Sequence, residues 1–172
     1  DLFNSKFEML VYHKPCGEIV TLKDNANRKT VFESLPSVSG KWINIGRLDL
    51  DTSGLLLFTN NGDIANKMMH PSSNISRTYE VLLKGSFTDI KKNKCLNGLD
   101  IGMSETGKFD SVEKCNTTAN KYIITLKTGK NREVRRVFLT VNCTVINLKR
   151  IQYDNIKLDN LIVGEHRYLN EE

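Results

Sequence analysis

The apolar run at residues 55–58 (LLLF) constrains the fold more than any other feature of the sequence. Gly54 precedes the run, and the turn-forming segment 60–62 (NNG) follows it. A short, continuous apolar run between turn residues is typical of a strand that is buried on both faces. The run is the longest in the chain, and it is far shorter than the roughly 20 residues that a membrane-spanning helix needs. The pattern therefore predicts a buried strand over residues 54–59 and no transmembrane segment.

Strand and helix patterns follow each other irregularly on both sides of this run. Clusters of β-branched and aromatic residues predict an opening β-hairpin, formed by residues 7–13 and 17–22. Further strands are predicted at residues 42–45, 77–83, 121–127 and 143–151, with edge structure at 156–163. Helical patterns cover residues 31–35 (a short turn), 63–70, 88–96 and 132–141. Because strands outnumber helices and no repeat is present, the sequence predicts an α+β fold around a mixed sheet.

Composition is that of one globular domain. The 172 residues include 25 Lys or Arg and 20 Asp or Glu, which gives a formal net charge of +5. This excess is a weak indication of a polyanionic partner. The cysteines form no C-x-x-C pair, so we expect reduced thiols rather than a zinc site or a disulfide framework. Residues 1–6 lack the features of a signal peptide, so we expect the protein to be cytoplasmic, or to lie in an organelle stroma or matrix in a eukaryote.

The densest polar cluster is the segment 46–54 (GRLDLDTSG), between the strand that ends at residue 45 and the buried strand. Loops that rigid strands anchor are common places for functional residues. One interpretation is a turn in which Asp49 or Asp51 binds nearby main-chain amides, with Arg47 as a solvated partner. Another is a D-x-D metal site, which is disfavoured because a hard cation needs several oxygen ligands and no other carboxylates cluster here.

Residues 132–141 form the clearest predicted helix, and it is strongly basic. An apolar face is formed by residues at positions i, i+3, i+4 and i+7, which are Val134, Val137, Phe138 and Val141. Arg135 falls at the border of this face, where a partly buried guanidinium needs a carboxylate partner. Arg132 and Arg136 point away from it, and with Lys130 they suit contact with phosphates. The alternative is an ordinary exposed charged stripe.

Two further candidates lie near predicted strand ends. Tyr79, in the segment 77–79 (RTY), is either a core tyrosine with a bonded hydroxyl or a ring that stacks on an unpaired base. Lys14, before Pro15, is either a phosphate contact or a solvated lysine beside a turn.

Taken together and in this order, the segments resemble the RsuA-type pseudouridine synthases, most closely the RluB-like branch that modifies large-subunit ribosomal RNA. The matching segments are 13–17 (HKPCG), 28–36 (RKTVFESLP), 46–60 (GRLDLDTSGLLLFTN), 64–71 (IANKMMHP), 77–79 (RTY) and 129–136 (GKNREVRR). The wider family commonly has glutamine at the position of Glu133. A glutamate here is similar to the RluB-like branch. Family members usually carry an S4-type RNA-binding domain before the first motif. Only residues 1–13 precede Lys14, so we expect the chain to be the catalytic domain, residues 1–172, without that module.

The resemblance implies a fold and a reaction. The fold is a mixed, mostly antiparallel central sheet flanked by helices, with an active-site cleft across the sheet. The reaction isomerises a uridine of large-subunit (23S) ribosomal RNA to pseudouridine after the base is flipped out of the RNA. Asp49 would be the nucleophile, Arg135 would hold it ionised and oriented, and Tyr79 would stack on the uracil. Neither a metal nor another cofactor is implied.

The resemblance also implies a partner and a binding surface. The partner is a stem-loop or junction of ribosomal RNA, and we expect the protein to be a monomer. Arg47 would enter the place that the flipped base leaves, and phosphates would be held by Lys14, Arg77, Lys130, Arg132 and Arg136. The alternatives are a synthase that acts on small-subunit ribosomal RNA or another RNA, a non-catalytic RNA-binding or ribosome-assembly module, and a metal-dependent enzyme built on Asp49 and Asp51.

Overall fold

The computed structural model describes residues 7–169, and the chain forms two compact units. Of the described residues, unit 1 comprises 7–73 and 157–169, and unit 2 comprises 74–156. Within the described range, no helix has both the length and the apolar character that crossing a membrane requires.

The strands, in chain order, are β1 (Met9–Lys14), β2 (Ile43–Ile45), β3 (Ser53–Thr59), β4 (Arg77–Lys84), β5 (Leu99–Gly102), β6 (Glu105–Gly107), β7 (Ser111–Lys114), β8 (Lys121–Leu126), β9 (Thr144–Tyr153), β10 (Ile156–Lys157) and β11 (His166–Tyr168). The helices are α1 (Gly62–Met69), α2 (Asp89–Asn97) and α3 (Glu133–Thr140), with short 3-10 turns at Val31–Ser34 and Pro71–Ser73. Strands that outnumber helices and pair in antiparallel ladders confirm the predicted α+β class.

Unit 1 is built around β1 and β3. β1 pairs antiparallel with β3 on one edge and with β11 on the other, and β2 also pairs with β3. All four residues of the apolar run 55–58 are fully buried, as are Leu10, Val11 and Tyr12 of β1. Neighbouring residues of a strand point to opposite faces, so both strands are covered on both sides. This confirms the predicted buried strand.

The predicted opening hairpin is wrong. Residues 17–22 contain no strand, and their only β-bridge is an isolated parallel one between Ile19 and Thr30. The main-chain amide of Ile19 instead donates to the oxygen of Lys29 at 2.9 Å, and Val31 donates back to Ile19 at 3.0 Å. β-branched residues predicted the strand, but β3 and β11 already occupy the two edges of β1.

Unit 2 contains the strand order β9-β4-β8-β7, with antiparallel pairing throughout, and a separate hairpin of β5 and β6. α2 begins after Thr88, whose hydroxyl accepts from the amide of Lys91 at 3.3 Å, and it ends before Gly98. Both boundaries lie close to the predicted ones. The short strands β5, β6, β7 and β11 were not predicted, because three or four residues carry too little periodicity to reveal a strand.

The apolar face of α3 anchors this helix in unit 2. Phe138 is fully buried, and its ring centre lies 5.1 Å from that of Phe109 and 5.4 Å from that of Phe87. Val134 and Val137 are buried beside it, as the helical spacing predicted. Burial of aromatic rings is a large stabilising contribution, so the position of α3 is well fixed.

All four cysteines are unbridged, in agreement with the expectation of reduced thiols. Cys95 and Cys143 are buried, whereas Cys16 is exposed.

Candidate active site

The polar segment 46–54 of unit 1 joins β2 to β3. These strands pair antiparallel, with Ile45 opposite Leu57, so the segment is a loop between two hydrogen-bonded strands. A tight turn lies inside it, because the amide of Thr52 donates to the main-chain oxygen of Asp49 at 3.0 Å. Asp49 is half-buried, whereas Arg47 is exposed. The loop thus presents a guanidinium to solvent two residues before a partly sheltered carboxylate.

The ammonium of Lys14, the last residue of β1, forms hydrogen bonds with the backbone of this loop. Its Nζ donates to the main-chain oxygens of Thr52 at 2.7 Å, Pro15 at 2.9 Å, Asp49 at 3.0 Å and Leu50 at 3.4 Å. Carbonyl oxygens are the acceptors that a buried ammonium needs in place of water. The loop backbone is therefore fixed at Asp49 and at the residues that follow it, Leu50 and Thr52.

The prediction that Lys14 contacts RNA is wrong. The whole residue is buried, with 0% of its surface exposed, and its ammonium is directed at main-chain oxygens. Burial lowers the pKa of Lys14 from its ordinary value, although the negative charges of Asp49 and Asp51 act against this. The sequence pattern did not distinguish a buried lysine from a solvated one, because three of the four acceptors lie 35 to 38 residues away along the chain.

Unit 2 carries Tyr79 on strand β4. Its cross-strand neighbour on β9 is Arg150, and Arg77 lies opposite Tyr153. The register of this ladder shifts by one residue between the two pairs. This bulge brings Arg150 and Tyr153 to the same face although they are three residues apart. We call these four residues the Arg–Tyr cluster.

The two guanidinium groups of the Arg–Tyr cluster both lie against the Tyr153 ring. The Cζ atoms of Arg150 and Arg77 are 5.0 Å and 5.5 Å from the ring centre, within cation–π range. Tyr79 is 9% exposed, so most of its ring is packed. Tyr153 was not among the predicted site residues, since strict strand alternation places residues 150 and 153 on opposite faces and a bulge leaves no reliable mark in a single sequence.

The guanidinium of Arg77 has hydrogen-bond acceptors within unit 2. Its Nη1 donates to the main-chain oxygens of Ile75 at 2.9 Å and Lys127 at 3.1 Å, which joins the start of β4 to the end of β8. The prediction that Arg77 contacts RNA stays a prediction.

Helix α3 carries the predicted arginine motif. Arg135 is half-buried, as its position at the border of the apolar face predicted. Arg132 is exposed and has a left-handed backbone conformation, with φ of 52°, immediately before the helix. A residue other than glycine rarely adopts this conformation, so the chain enters α3 through a constrained turn.

The side chain of Glu133, the first residue of α3, stabilises that turn by hydrogen bonds to residues before the helix. It is 3% exposed, and its carboxylate accepts from the hydroxyl of Thr128 at 2.7 Å and from the amide of Lys130 at 3.0 Å. The carboxylate thus replaces water for the polar groups of the segment 128–133. Sequence reasoning noted the residue type here but did not predict its buried role.

The prediction that Arg136 contacts RNA stays a prediction, although the guanidinium already has partners within unit 2. Its guanidinium donates to a carboxylate oxygen of Glu105 at 2.8 Å, with further bonds to main-chain oxygens of Gly102 and Asn131 at 2.9 Å and Ile101 at 3.2 Å. A helical wheel places the residue away from the core, and the unpredicted hairpin of β5 and β6 occupies that side. Arg136 therefore joins this hairpin to α3.

The remaining predicted RNA contacts are Arg47 in unit 1 and Lys130 and Arg132 in unit 2. The ammonium of Lys130 donates to the main-chain oxygen of Thr106. Among residues 7–169, no three His, Cys, Asp or Glu side chains come together as metal ligands. The alternative of a metal site on Asp49 and Asp51 thus gains no third ligand in the described part of the chain.

A known protein family matches the part of the chain that contains the loop 46–54, strand β4 and helix α3. Residues 8–140 match the RNA pseudouridylate synthase family, a segment that includes Asp49, Tyr79 and Arg135. The chain belongs to this family. The resemblance drawn from the sequence motifs is therefore confirmed.

Several relatives of this chain share one name. Proteins called ribosomal large subunit pseudouridine synthase B are 43% identical over 156 residues in Vibrio vulnificus and 40% identical over 172 residues in Buchnera aphidicola. These alignments cover 88% and 97% of this chain, and 48% and 69% of the relatives. A relative of the same name in Xylella fastidiosa is 42% identical over 87% of the chain, which spans 33% of that protein. The chain thus spans about half or less of two of these three relatives.

Solved structures share the fold. A crystal structure of a pseudouridylate synthase superposes with a TM-score of 0.85 at 25% identity, covering 96% of this chain and 71% of that one. The human RNA pseudouridylate synthase domain containing 1 superposes with a TM-score of 0.55 at 12% identity, covering 96% and 80%. The predicted pseudouridine synthase fold is confirmed.

Proposed function

We propose that this chain is the catalytic part of an enzyme that isomerises a uridine of large-subunit ribosomal RNA to pseudouridine. The observation that carries the proposal is the identity of about 40% to proteins named ribosomal large subunit pseudouridine synthase B, which extends over nearly the whole chain. In this reaction the bond between N1 of uracil and C1′ of ribose breaks. A bond between C5 and C1′ forms, C5 loses its proton, and N1 gains one.

Asp49 is the proposed nucleophile. A carboxylate can form a covalent bond to the nucleotide and later release it, whether it attacks C6 of the base or C1′ of the sugar. The bonds from Lys14 support this role, because they fix the main chain at Asp49 and at Thr52. A fixed backbone reduces the orientational freedom that the attacking group loses in the transition state.

Arg135 and Tyr79 are the proposed partners in the reaction. A guanidinium stabilises the ionised form of a carboxylate, so Arg135 would keep Asp49 reactive and oriented. Tyr79 would stack on the uracil and assist in moving the C5 proton. Both residues lie on well-anchored elements, since β4 is an inner strand of its sheet and α3 is fixed by Phe138.

RNA binding requires that the target base leave its stack, which costs a few kcal/mol. Arg47 is exposed and lies two residues before Asp49, so it is the proposed side chain that fills the vacated place. Exposed Arg132 and the more sheltered Lys130 would hold phosphates without reading sequence.

The test uses ribosomal RNA transcribed without modification. The wild-type chain and the Asp49→Asn variant are incubated with large-subunit and, separately, small-subunit transcripts, and pseudouridine is mapped by carbodiimide-blocked reverse transcription. We expect one strong stop in the large-subunit RNA with the wild type and none with Asp49→Asn. The amide is the closest match in shape to the carboxylate but cannot attack, so RNA affinity is expected to stay within about threefold.

Asp51→Asn is the matched control, because this acid lies in the same loop and is exposed. We expect it to retain most of the activity, and we expect a chelator to have no effect. Equal loss in both variants together with chelator sensitivity would support a metal-dependent enzyme instead. RNA binding without any modified uridine would identify a non-catalytic module. Modification of the small-subunit transcript alone would identify small-subunit ribosomal RNA as the substrate.

Arg135 is tested by the rate–pH profile. Arg135→Ala is expected to lower kcat/KM by about 100-fold or more and to move the acidic limb of the profile to higher pH. Arg135→Lys keeps the positive charge and is expected to restore that limb partly. An acidic limb that is the same in all three proteins would contradict the role of Arg135.

A further inference from the structure

The β5–β6 hairpin ends in an unusual turn. Gly102 pairs with Glu105, so Met103 and Ser104 form a two-residue loop, and both have positive φ, 55° and 59°. Two positive φ angles are the mark of the type I′ turn, for which Asn-Gly is the preferred sequence because these residues tolerate the left-handed region. Methionine and serine are both poorly suited to this conformation.

Met103 is also the most exposed large apolar side chain in the part of the chain that the structure describes, with 79% of its surface accessible. A turn residue that serves stability alone is expected to be polar and suited to positive φ. Met103 is neither. Backbone conformations that a residue rarely adopts are concentrated at functional sites.

The hairpin that carries Met103 is firmly attached to α3. The guanidinium of Arg136 binds the main-chain oxygen of Gly102 and the side chain of Glu105, the two residues that flank the turn. At the base of the hairpin, a Cβ built on Gly107 would lie 2.5 Å from Cγ2 of Val137, which shows that this side chain of α3 packs directly against the Gly107 backbone. The turn is therefore held in place.

These contacts put the turn beside the start of α3. The same Nη1 of Arg136 that binds Glu105 also binds the main-chain oxygen of Asn131, and the ammonium of Lys130 binds Thr106 in β6. The proposed RNA-contacting residues Lys130 and Arg132 thus lie in the segment against which the hairpin packs. An exposed apolar side chain next to a phosphate-binding segment is well placed to meet a base.

We propose that Met103 contacts the RNA substrate, with its side chain packed against an unstacked nucleobase. Flipping one nucleotide unstacks its neighbours and exposes apolar base faces. Methionine is flexible and polarizable, and apolar side chains including methionine insert between base steps in other nucleic-acid complexes. The inference rests on the proposed function, because it requires RNA at this surface.

The test separates stability from RNA recognition. The double substitution Met103→Asn with Ser104→Gly installs the preferred type I′ sequence, so we expect Tm to rise by roughly 2–4 °C. The same variant is expected to lose about tenfold in kcat/KM on the large-subunit RNA fragment that contains the mapped uridine, with a similar rise in Kd. Met103→Leu keeps an apolar side chain and is expected to stay within about threefold of wild type.

Ile90→Asn is the matched control, because Ile90 is 70% exposed on α2 and outside the hairpin. We expect its kcat/KM and Kd to equal those of the wild type. A double variant that is more stable and still fully active would overturn the inference, as would equal losses in Ile90→Asn. A wild-type chain that modifies no uridine would reject the proposed function instead. In that case the Kd values of the wild type and the double variant alone test the Met103 contact. A wild-type chain that binds no RNA would reject this contact.

Discussion

The ammonium of Lys14 binds the main-chain oxygen of Asp49 at 3.0 Å, and with the oxygen of Thr52 at 2.7 Å it spans the turn between them. The lysine of the first motif thus supports the loop that carries the proposed nucleophile, which lies 35 residues further along the chain. Because the ammonium is buried, the loop depends on a charge that solvent does not reach.

Replacement of Lys14 by methionine is expected to destabilise the protein by about 3 kcal/mol, because several main-chain oxygens lose a charged donor while they stay buried. Urea denaturation measures the change. Lys41→Met removes an exposed lysine from the same unit and is expected to change stability by less than about 0.5 kcal/mol. Equal effects of the two substitutions would show that the Lys14 bonds contribute nothing.

Glu133→Ala is expected to cost about 1–3 kcal/mol, because the Thr128 hydroxyl and the Lys130 amide lose their buried acceptor. Glu133→Gln retains one acceptor oxygen, so a smaller loss is expected. Thermal unfolding compares the two with Glu113→Ala, which removes an exposed glutamate on β7. If Glu133→Gln were as unstable as Glu133→Ala, the negative charge rather than the acceptor geometry would be the important property.

Gly107→Ala is expected to destabilise unit 2 by about 1–3 kcal/mol, since the added Cβ would lie 2.5 Å from Val137 and 3.0 Å from Ile101. Val137→Ala removes the closer atom, so the double variant is expected to lose less than the sum of the two single losses. Denaturation of all four proteins completes this cycle. Gly62→Ala is the control, because its Cβ meets only Ile43 at 3.7 Å. Strictly additive losses would contradict the close packing of hairpin and helix.

Stability is expected to fall between pH 9 and pH 11 through Cys95. Burial, reinforced by a Coulomb interaction with Cys143, raises the pKa of Cys95 from 9.0 to about 11. The folded protein therefore keeps this proton to higher pH than the unfolded chain, and the resulting stabilisation is present below pH 9 and lost as pH rises through 11. Denaturation midpoints from pH 8 to pH 11 test this, with Cys95→Ala as the comparison. Parallel curves for the two proteins would exclude a contribution from Cys95.

Tyr79→Phe is expected to retain more activity than Tyr79→Ala, because phenylalanine preserves the ring that would stack on the uracil. Single-turnover rates on the ribosomal RNA fragment measure both. Tyr79 is largely buried, so circular dichroism and Tm must confirm that each variant is folded. Equal impairment of two folded variants would assign the main role to the hydroxyl.

Sequence patterns predicted the long elements and the polar loop because these depend on local periodicity. The apolar run of β3 and the i, i+3, i+4, i+7 spacing of α3 are properties of neighbouring residues, and both are present in the structure. The resemblance carried the assignment further, since motifs in a fixed order identify a family that spacing alone does not.

Other features depend on partners that are distant along the chain. Lys14 and Arg136 were both assigned to RNA, yet most of their acceptors lie 31 to 38 residues away along the chain. Tyr153 joins its cluster only because a bulge shifts the register of β9. The prediction of a strand at residues 17–22 was wrong for a similar reason. Strand pairing depends on which edges are free, and β3 and β11 already pair with both edges of β1. Propensity describes what a segment prefers, and long-range contacts decide what it does.

The hydrogen bonds of Lys14 and Arg136 also bear on how firmly a polyanion is held. Formal charge counts both residues toward the excess of +5, although one is buried and the other is paired with Glu105. Only cations that meet phosphates displace condensed counterions, at a slope of about 0.7 per contact on single-stranded nucleic acid. The ionic-strength dependence of the proposed RNA binding is therefore set by the guanidinium and ammonium groups that contact phosphates, and it is expected to be shallower than the total number of basic residues suggests.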